Sequence, residues 1–444
     1  MSDQEAYMSD PPLHLDGTTL EGGGQLLRLA LSLSSLTHIP IHVTEIRGKR
    51  GKISSPGSAG GLKPAHLAGV EWLAKATAAR TEGMKVKSRE LVFRPSTTRS
   101  AIVMDGSQSE GAGVWKDVYQ DGKMVRRESR ISMATPGAIT LILQAILPYV
   151  LFCGSATISD QYETVPLHIT IEGGTNVTNS PSIEYVDQVL LPMLSLKLGI
   201  SPVSTTLHKR GWSSGRNQVG SVTFAIEPLY SASTLPTFVF QDRGSLAKVH
   251  VSILVPGVSI RNIVRNMVTT KLLAFYPDID ILFPVDEDSR SDKRLYILLV
   301  AETSNGYRLG CDWLFDMKSK GSAVEQKCER LVSKVIKDLK RELEHGGCVD
   351  EYMQDQLVIY QALVVGRAQV DGGKGKEGTL HTRTARWVAE QILGLNFDEA
   401  GQCEGVGLVV GEDYKNVKII EQETAELLTF PSYQTSPFTR HLRK

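Results

Sequence analysis

Three glycine doublets, beginning at Gly22, Gly173 and Gly346, each stand directly before a run of residues with helical periodicity. A glycine pair lets the backbone turn sharply from a strand into a helix, because glycine tolerates dihedral angles that are closed to other residues. A pattern that recurs along a chain indicates a repeated supersecondary unit. The sequence therefore predicts a strand-and-helix unit that occurs three times along the chain.

A different pattern separates the second and third units. After Phe224 we predict strands at residues 248–254 and 295–301, then a long charged helix at 322–344. Apolar residues recur on that helix at the spacing of one buried face, namely at Val324, Cys328, Leu331, Val335, Leu339 and Leu343. Gly346 fits the C-terminal cap of this helix. We interpret the region as a smaller α+β domain inserted into a larger one.

Elsewhere the periodicity predicts strands at residues 13–15, 42–47 and 91–94, and helices at 26–36, 64–78, 183–198 and 352–365. Pro192 inside one of these helices predicts a kink or an early end, because proline lacks the backbone N–H. The polar stretch at 105–130, which contains Arg126, Arg127 and Arg130, is long and loop-like. We interpret it as an insertion.

Composition excludes several classes of protein. Lys plus Arg and Asp plus Glu both number 49, so the formal net charge is zero and a polyanion site must be a local patch. The five cysteines are scattered, without zinc-ligand spacing or a disulfide framework, which favours a reducing compartment. Residues 1–12 lack the apolar core of a signal peptide. The most apolar run, 138–153, is too short to span a bilayer, so we expect no membrane partner.

Three polar segments carry residue types that bind phosphate. Residues 21–25 (Glu-Gly-Gly-Gly-Gln) precede a helix that carries Arg28, and amide groups at a helix N-terminus favour phosphate; a turn with positive φ angles explains the glycines equally well. The basic loop at 47–52 suits phosphate oxygens, although such charge runs are usually solvated. The loop at 209–216 combines basic residues with Trp212, which suits either stacking on a base or a structural turn.

Two further segments carry candidate catalytic groups. Asp350 fits a helix N-cap, whereas Asp355 and Gln356 lie deeper in the same helix, where they suit a metal, a ribose or plain solvent. Residues 378–384 (Gly-Thr-Leu-His-Thr-Arg-Thr) place His381 between small hydroxyl residues, before an amphipathic run. A neutral imidazole is a competent nucleophile near pH 7. A lone histidine in a loop is more often a solvated side chain.

Taken together and in this order, the segments resemble the RNA 3′-terminal phosphate cyclase family, from about residue 13 to about residue 410. The resemblance rests on residues 15–17, 21–28, 46–50, 61–67, 143–148, 173–176, 345–357 and 380–382. It implies an α+β fold whose large domain has three repeated units, each of parallel helices on a four-stranded sheet. Residues 1–224 would hold the first and second units, 225–345 the inserted smaller α+β domain, and 346–444 the third unit.

The resemblance also implies a reaction. A histidine, matched here by His381, attacks the α-phosphate of ATP and expels pyrophosphate, and the covalent histidine–AMP passes its adenylate to an RNA 3′-phosphate. The neighbouring 2′-hydroxyl then closes the 2′,3′-cyclic phosphate. A divalent ion, Mg²⁺ or Mn²⁺, would shield the triphosphate, with Glu21 or Asp355 as a metal ligand. The nucleotide and phosphate pocket would be lined by Glu21, Arg28, Arg47, Arg50, Gln144, Asp355 and Gln356.

The sequence departs from the family pattern at Ala65, at Pro136 and at residues 214–220, and two alternatives follow. Cyclase-like proteins that serve ribosome assembly lack the catalytic histidine, whereas His381 is present here. An enolpyruvyl-transferase-like enzyme would share a repeated architecture but not these motifs. The resemblance further implies a nuclear location and an RNA with a 3′-terminal phosphate as partner. With zero net charge, we expect a shallow salt dependence of RNA binding.

Overall fold

The computed structural model describes residues 11–49, 60–96, 113–153, 165–315, 323–375 and 377–414. A first sheet carries two helices. Its strand order is β1-β2-β4-β3, in which β1 and β2 run parallel and the other pairs antiparallel. The strands are β1 (Leu13–Asp16), β2 (Ile41–Thr44), β3 (Arg80–Glu82) and β4 (Leu91–Arg94), and the helices are α1 (Gly24–Thr37) and α2 (Pro64–Ala76).

A second sheet has the order β5-β6-β7-β9-β8. Its β6 and β7 are parallel, while β7–β9 and β9–β8 are antiparallel, so these four strands follow the same order and directions as the first sheet. The strands are β5 (Lys116–Gln120), β6 (Lys123–Ser132), β7 (Leu167–Gly173), β8 (Ser204–Lys209) and β9 (Gly220–Ile226). The helices are α3 (Ile139–Phe152) and α4, which consists of Ile183–Tyr185, the π-helical turn Val186–Leu190 and Leu191–Leu198.

The short strand β10 (Val239–Phe240) precedes a third sheet of order β12-β11-β13-β14. This sheet is formed by β11 (Leu246–Val255), β12 (Asp280–Asp288), β13 (Tyr296–Thr303) and β14 (Arg308–Leu314), with α5 (Val258–Phe275) and α6 (Val324–His345). The apolar stripe predicted on α6 is confirmed at its centre, where Cys328, Leu331, Val335 and Leu339 are buried. Gly346 caps α6 at φ 89°, as the sequence predicts.

The last elements return to β10. They are α7 (Glu351–Leu363), β15 (Val365–Val370), α8 (Leu380–Leu393) and β16 (Cys403–Val406). β15 pairs in parallel with β10 and antiparallel with β16. The mixed sheets and packed helices place the chain in the predicted α+β class. In the part of the chain that the structure describes, none of the helices combines the length and the apolar content needed to cross a bilayer.

Residues 113–132 correct the prediction of a polar loop at 105–130, because they contain β5 and the ten-residue strand β6. β6 alternates between buried and exposed positions, but two of its buried residues are polar. Arg127 donates from Nε to Asp117 Oδ1 at 2.9 Å, and Ser129 Oγ accepts from Trp72 Nε1 at 2.8 Å. Since the hydrogen-bond partners come from other elements, the strand does not show the apolar alternation by which strands are recognised. Residues 101–112 lie outside the described ranges.

Pro192 neither breaks nor ends α4. The preceding residues form one π-helical turn, in which the N–H of Leu191 donates to the C=O of Val186. Such a turn adds a residue to the helix and accommodates a local irregularity without breaking the helix. The turn also brings Leu190 to the pocket described below.

Candidate active site

The N-terminal turn of α8 carries His381. Thr379 is the N-cap, and its Oγ1 accepts the N–H of Thr382 at 3.2 Å, so α8 has a side-chain cap of the usual kind. His381 is the second residue of the helix and its side chain is exposed. The cap fixes the direction in which the backbone enters the helix, and therefore fixes the Cα–Cβ vector of His381.

Two buried threonines that follow His381 hold this turn in place. Thr382 Oγ1 donates to Gln354 Oε1 on α7 at 3.3 Å. Thr384 Oγ1 accepts the backbone N–H of Glu21 at 3.1 Å, which joins α8 to the glycine-rich loop before α1. Both threonines are fully buried. The small hydroxyl residues Thr382 and Thr384 thus anchor α8 to α7 and to the loop before α1.

His381 contacts a residue that the sequence analysis did not select. Its Nδ1 lies 2.6 Å from Oε1 of Gln25, the second residue of α1. An amide oxygen only accepts hydrogen bonds, so Nδ1 must carry the proton. Nε2 then holds the lone pair, which is the form that a nucleophilic imidazole requires. One signal for Gln25 was available, because Gln25, Arg28 and Leu29 share one face of α1 by helical spacing.

One pocket brings together four of the predicted residues. It lies between α1, α3, α4 and α7 and is lined by both polar and apolar residues. The polar lining consists of Gln25, Arg28, Gln144, Asp355 and Gln356, and the apolar lining of Leu29, Leu147, Pro148, Leu190, Ile359 and Tyr360. Apolar walls with a few convergent polar groups are typical of small-molecule sites.

Opposite charges meet inside this pocket. Withdrawal from water raises the pKa of Asp355 to about 7, while Arg28 and a hydrogen bond with the side chain of Gln25 act in the opposite direction. Withdrawal from water also lowers the pKa of Arg28 to about 10, against the attraction of Asp355. Arg28 therefore stays cationic near neutral pH, and it is the charge that favours the ionised form of Asp355.

A basic cluster adjoins the start of α1. The ring of His66 sits so close to Gly24 that a Cβ there would lie 2.6 Å from Nε2, and 3.1 Å from Arg28 Nη1. The N–H of Lys63 donates to His66 Nδ1 at 3.4 Å, so Nε2 carries the ring proton. Withdrawal from water and the charges of Arg28, Arg47 and Lys63 lower the pKa of His66 to about 3. Excess positive charge beside a neutral N–H donor suits an anion.

The glycine triplet is explained by close contacts as well as by backbone conformation. Gly22 has a φ of 59°, and a Cβ there would lie 2.7 Å from the side chain of Lys49. A Cβ on Gly23 would lie 2.0 Å from the carboxylate of Glu21, which therefore rests on the N-cap of α1. Glu21 places its negative charge where the helix dipole favours an anion.

Arg47 begins the basic loop in a left-handed conformation, with φ 56°. Its Nη1 donates to the C=O of Gly61 at 3.2 Å, which turns the guanidinium toward the segment that leads into α2. Partial withdrawal from water lowers the pKa of Arg47. Arg50, the other arginine predicted to bind phosphate, lies outside the described residues.

The described residues do not form a metal cage. Among them, no group of three His, Cys, Asp or Glu side chains is placed to hold an ion. Asp355 interacts with Arg28 and Gln25, and Glu21 rests on Gly23. These surroundings do not fit a resident divalent ion, which needs several oxygen ligands. Metal binding by Glu21 or Asp355 stays a prediction.

The basic loop at 209–216 is a structural junction. Trp212 is 2% exposed, so its ring has no open face for a nucleic-acid base. Arg210 binds the carboxylate of Glu184 on α4 and also donates from Nε to Glu287 on β12 at 2.6 Å. The structural-turn interpretation of this loop is therefore correct, and the stacking interpretation is wrong.

Asp350 is the N-cap of α7, as the sequence predicts, and it also joins distant elements. Its Oδ1 accepts the N–H groups of Tyr352 and Met353 and the hydroxyl of Tyr185 on α4, the last at 2.7 Å. Its Oδ2 accepts the N–H of Gly310 on β14 at 2.7 Å. Four donors to one buried carboxylate fix the start of α7, and hence the helix that carries Asp355 and Gln356.

Two of the departures from the family pattern are neighbours in space. A Cβ on Gly137 would lie 3.0 Å from Cβ of Ala65, the second residue of α2. A Cβ on Gly174 would lie 2.7 Å from the C=O of Pro136. The start of α2 and the loop before α3 therefore differ from the pattern as one packed region.

Comparison with known proteins points in one direction. The family model described as RNA 3′-terminal phosphate cyclase matches residues 19–398. A Drosophila melanogaster protein named RNA 3′-terminal phosphate cyclase is 31% identical over 411 residues, which cover 89% of this chain and 97% of that protein. A protein of the same name from Desulfurococcus amylolyticus is 31% identical over 392 residues, which cover 87% of this chain and 93% of that protein. Another from Pyrococcus furiosus is 29% identical over 394 residues, which cover 88% of this chain and 96% of that protein. This chain belongs to the RNA 3′-terminal phosphate cyclase family.

Proposed function

We propose that this protein converts an RNA 3′-terminal phosphate to a 2′,3′-cyclic phosphate at the expense of ATP, through a covalent intermediate between His381 and AMP. The single observation that carries the proposal is the contact of His381 Nδ1 with Gln25 Oε1 at 2.6 Å. It leaves Nε2 as the nucleophilic nitrogen and joins His381 to Gln25, which lines a pocket together with Arg28, Gln144, Asp355 and Gln356.

In the first step, His381 Nε2 attacks the α-phosphorus of ATP. The new N–P bond forms as the bond from that phosphorus to the bridging oxygen breaks, and pyrophosphate leaves with the electron pair. Nδ1 keeps its proton, and the positive charge that develops on the ring is stabilised by the oxygen of Gln25. A covalent intermediate replaces one difficult displacement with easier ones.

In the following steps, an oxygen of the RNA 3′-phosphate attacks the same phosphorus and releases the histidine. AMP is now a good leaving group on the RNA phosphate. The neighbouring 2′-hydroxyl then attacks that phosphate, loses its proton to solvent, and expels AMP as the cyclic ester closes. Each step forms one bond to phosphorus and breaks one.

The basic cluster is suited to hold the phosphates. Arg28 and Arg47 supply charge, and His66 supplies a neutral N–H beside the start of α1. Gln144 and Gln356, with the apolar wall of the pocket, are suited to the nucleoside. We assign Arg50 and Glu21 to the same phosphate region from the resemblance. A bound Mg²⁺ or Mn²⁺ would shield the triphosphate, and adding each ion back to chelator-treated protein tests whether adenylation requires it.

We also propose that the large domain contains three repeats and that the inserted unit begins near Leu246 instead of residue 225. The first two sheets share one strand order. The segment before Leu246 belongs with the proposed third repeat and not with the inserted unit. The C=O groups of Phe238 and Leu235 accept backbone hydrogen bonds from Gln369 and Val365 on β15. Expression of residues 246–345 alone, followed by circular dichroism and thermal unfolding, tests whether this unit folds independently.

An RNA assay tests the function. Wild-type protein, His381→Ala and the matched control His208→Ala are incubated with ATP and an RNA whose 3′-terminal phosphate is labelled. His208 is exposed on β8, away from the pocket. We expect phosphatase-resistant label with wild type and His208→Ala, and none with His381→Ala. Failure of wild type to cyclise any RNA, with any divalent ion, would reject the proposal and favour the ribosome-assembly alternative.

The nuclear location is a separate prediction, which imaging of a tagged chain tests.

A further inference from the structure

Gln25, which lines the pocket, lies between two ionisable side chains, His381 and Asp355. Its Oε1 is 2.6 Å from Nδ1 of His381. Asp355 lines the same pocket, and the side chain of Gln25 acts to lower the pKa of that carboxyl. The three residues come from three helices, α1, α7 and α8, of which α8 packs against both of the others. The resulting series is carboxylate, amide, imidazole, with Arg28 beside the carboxylate.

Only one orientation of the Gln25 amide satisfies both neighbours. A carboxylate accepts hydrogen bonds, so Asp355 requires the NH₂ of the amide to face it. The amide oxygen must then face His381. If the amide turned over, its oxygen would face the carboxylate oxygens of Asp355 and would be repelled by them. Its NH₂ would then face Nδ1 of His381, which could accept this hydrogen bond only with the ring proton on Nε2.

We propose that Asp355 and Gln25 are positioning residues, which hold His381 in the tautomer that has its proton on Nδ1 and its lone pair on Nε2. This inference rests on the proposed role of His381 as the nucleophile. It assigns Asp355 a duty other than contact with metal or nucleotide: the carboxylate orients the amide, and the amide selects the tautomer.

The surroundings favour such a role. Burial raises the pKa of Asp355 to about 7, and Arg28 beside it favours the charged form, which is the form that can only accept. Gln25 is fixed at the start of α1, one residue after Gly24, which the ring of His66 covers. His381 is fixed by the threonine anchors of α8. A carboxylate that orients a catalytic imidazole through its Nδ1 proton is known to matter greatly in hydrolases; here an amide is interposed.

The tautomer can be read directly. The nitrogen chemical shifts of a neutral imidazole differ strongly between the protonated and the lone-pair nitrogen, so ¹⁵N-histidine labelling of the full chain reports them without any nucleotide. The signal of His381 is identified by its loss in His381→Ala. We expect Nδ1–H in wild type. Gln25→Met removes the acceptor at similar size, and we expect it to shift the ring toward Nε2–H. Asp355→Asn lets the amide take either orientation, and we expect a mixture.

The kinetic signature separates positioning from binding. In single-turnover adenylation, we expect Gln25→Met and Asp355→Asn to lower the rate at saturating ATP by about 10- to 100-fold, the usual effect of removing a residue that orients a catalytic group, with little change in the ATP concentration for half-maximal rate. Glu329→Gln, an exposed acid-to-amide change on α6, is the matched control and should leave both values unchanged.

An exchange of the two groups provides a rescue. In the double variant Gln25→Glu with Asp355→Asn, the new amide can donate to the new carboxylate, which in turn accepts from Nδ1. We expect the double variant to recover the Nδ1–H signal and to adenylate faster than Asp355→Asn alone. A merely structural role for Asp355 does not give this recovery.

The outcomes distinguish this inference from the proposed function. If wild type forms the His381 adduct but Gln25→Met and Asp355→Asn keep the wild-type tautomer and rate, the positioning role is refuted and the nucleophile stands. If both variants lose only ATP affinity, Asp355 binds nucleotide and the inference fails. If wild type forms no adduct at His381, the proposed function itself fails, while the tautomer spectra still report whether Gln25 and Asp355 govern the ring.

Discussion

Nδ1 of His381 lies 2.6 Å from Oε1 of Gln25, although 356 positions separate the two residues along the chain. The contact joins the first helix of the fold to the last one that the structure describes. The proposed nucleophile and the residue proposed to orient it therefore come together only when these two helices pack against each other. Loss of the packing between α1 and α8 should abolish adenylation before it unfolds the chain.

Arg47 is predicted to act on ATP binding. Arg47→Ala removes a guanidinium that lies close enough to His66 to lower the pKa of that ring. Since a hydrogen bond to a charged group contributes about 1.5–3 kcal/mol, we expect the ATP concentration for half-maximal adenylation to rise by about 10- to 100-fold. Single-turnover adenylation over a range of ATP concentrations measures this. Arg89→Ala, at an exposed arginine paired with Glu45, is the control. Unchanged ATP dependence in Arg47→Ala would remove Arg47 from the phosphate site.

Gly24 is predicted to be intolerant of any side chain. In Gly24→Ala the new methyl group would lie 2.6 Å from His66 Nε2 and 3.1 Å from Arg28 Nη1, so both side chains must move out of the basic cluster. We expect adenylation to fall by at least about tenfold, as for other displaced catalytic groups. Gly69→Ala on α2 is the control, because its methyl group meets nothing closer than 3.9 Å. That change should stabilise the fold by about 0.5–1 kcal/mol. Equal activity in both variants would contradict the described packing.

His66 is predicted to remain neutral throughout the physiological range. Its pKa is lowered from 6.5 to about 3, because the ring is withdrawn from water and faces three cations. Below pH 6.5 the unfolded chain binds a proton at His66 that the folded chain does not bind. The contribution of His66 to the free energy of unfolding therefore decreases as the pH falls toward 3. The ring-proton resonances of His66, assigned through His66→Gln, should not shift between about pH 5 and 8. Titration near the ordinary value would place the ring in water.

Asp350 is predicted to be structural. Asp350→Ala removes the cap of α7 and leaves the Tyr185 hydroxyl and the Gly310 N–H without their buried acceptor. With about 1 kcal/mol for the cap and about 1–3 kcal/mol for each orphaned donor, we expect the free energy of unfolding to fall by about 3–7 kcal/mol in urea denaturation. Asp280→Ala, at the exposed start of β12, should leave it unchanged. A loss as small as that of the control would show that water replaces the carboxylate.

Elements with strong local signals could be predicted from the sequence. The stripe on α6, the capping Gly346 and the N-cap Asp350 depend on residues within a few positions of one another, and each is confirmed. β6 could not be predicted, because Arg127 and Ser129 face inward and their partners belong to other elements. A buried polar residue is indistinguishable from an exposed one until its partner is known.

The candidate site shows the same division. Arg28, Gln144, Asp355 and Gln356 were selected from motifs, and the structure places them around one pocket. Helical spacing puts Gln25 on one face of α1 with Arg28, but its contacts with α7 and α8 are visible only in the folded chain. A basic loop with one aromatic residue predicts that Trp212 stacks on a base. The pattern gives no sign that the ring is buried, as the structure shows it to be.

The most direct test of the His381 nucleophile is to incubate the purified chain with α-labelled ATP and magnesium or manganese, then to locate the label by peptide mass spectrometry. We predict one acid-labile AMP adduct on the peptide that contains His381, and none in His381→Ala. Label on another residue, persistence of label in His381→Ala, or the absence of label from wild type with either ion would contradict the proposed mechanism.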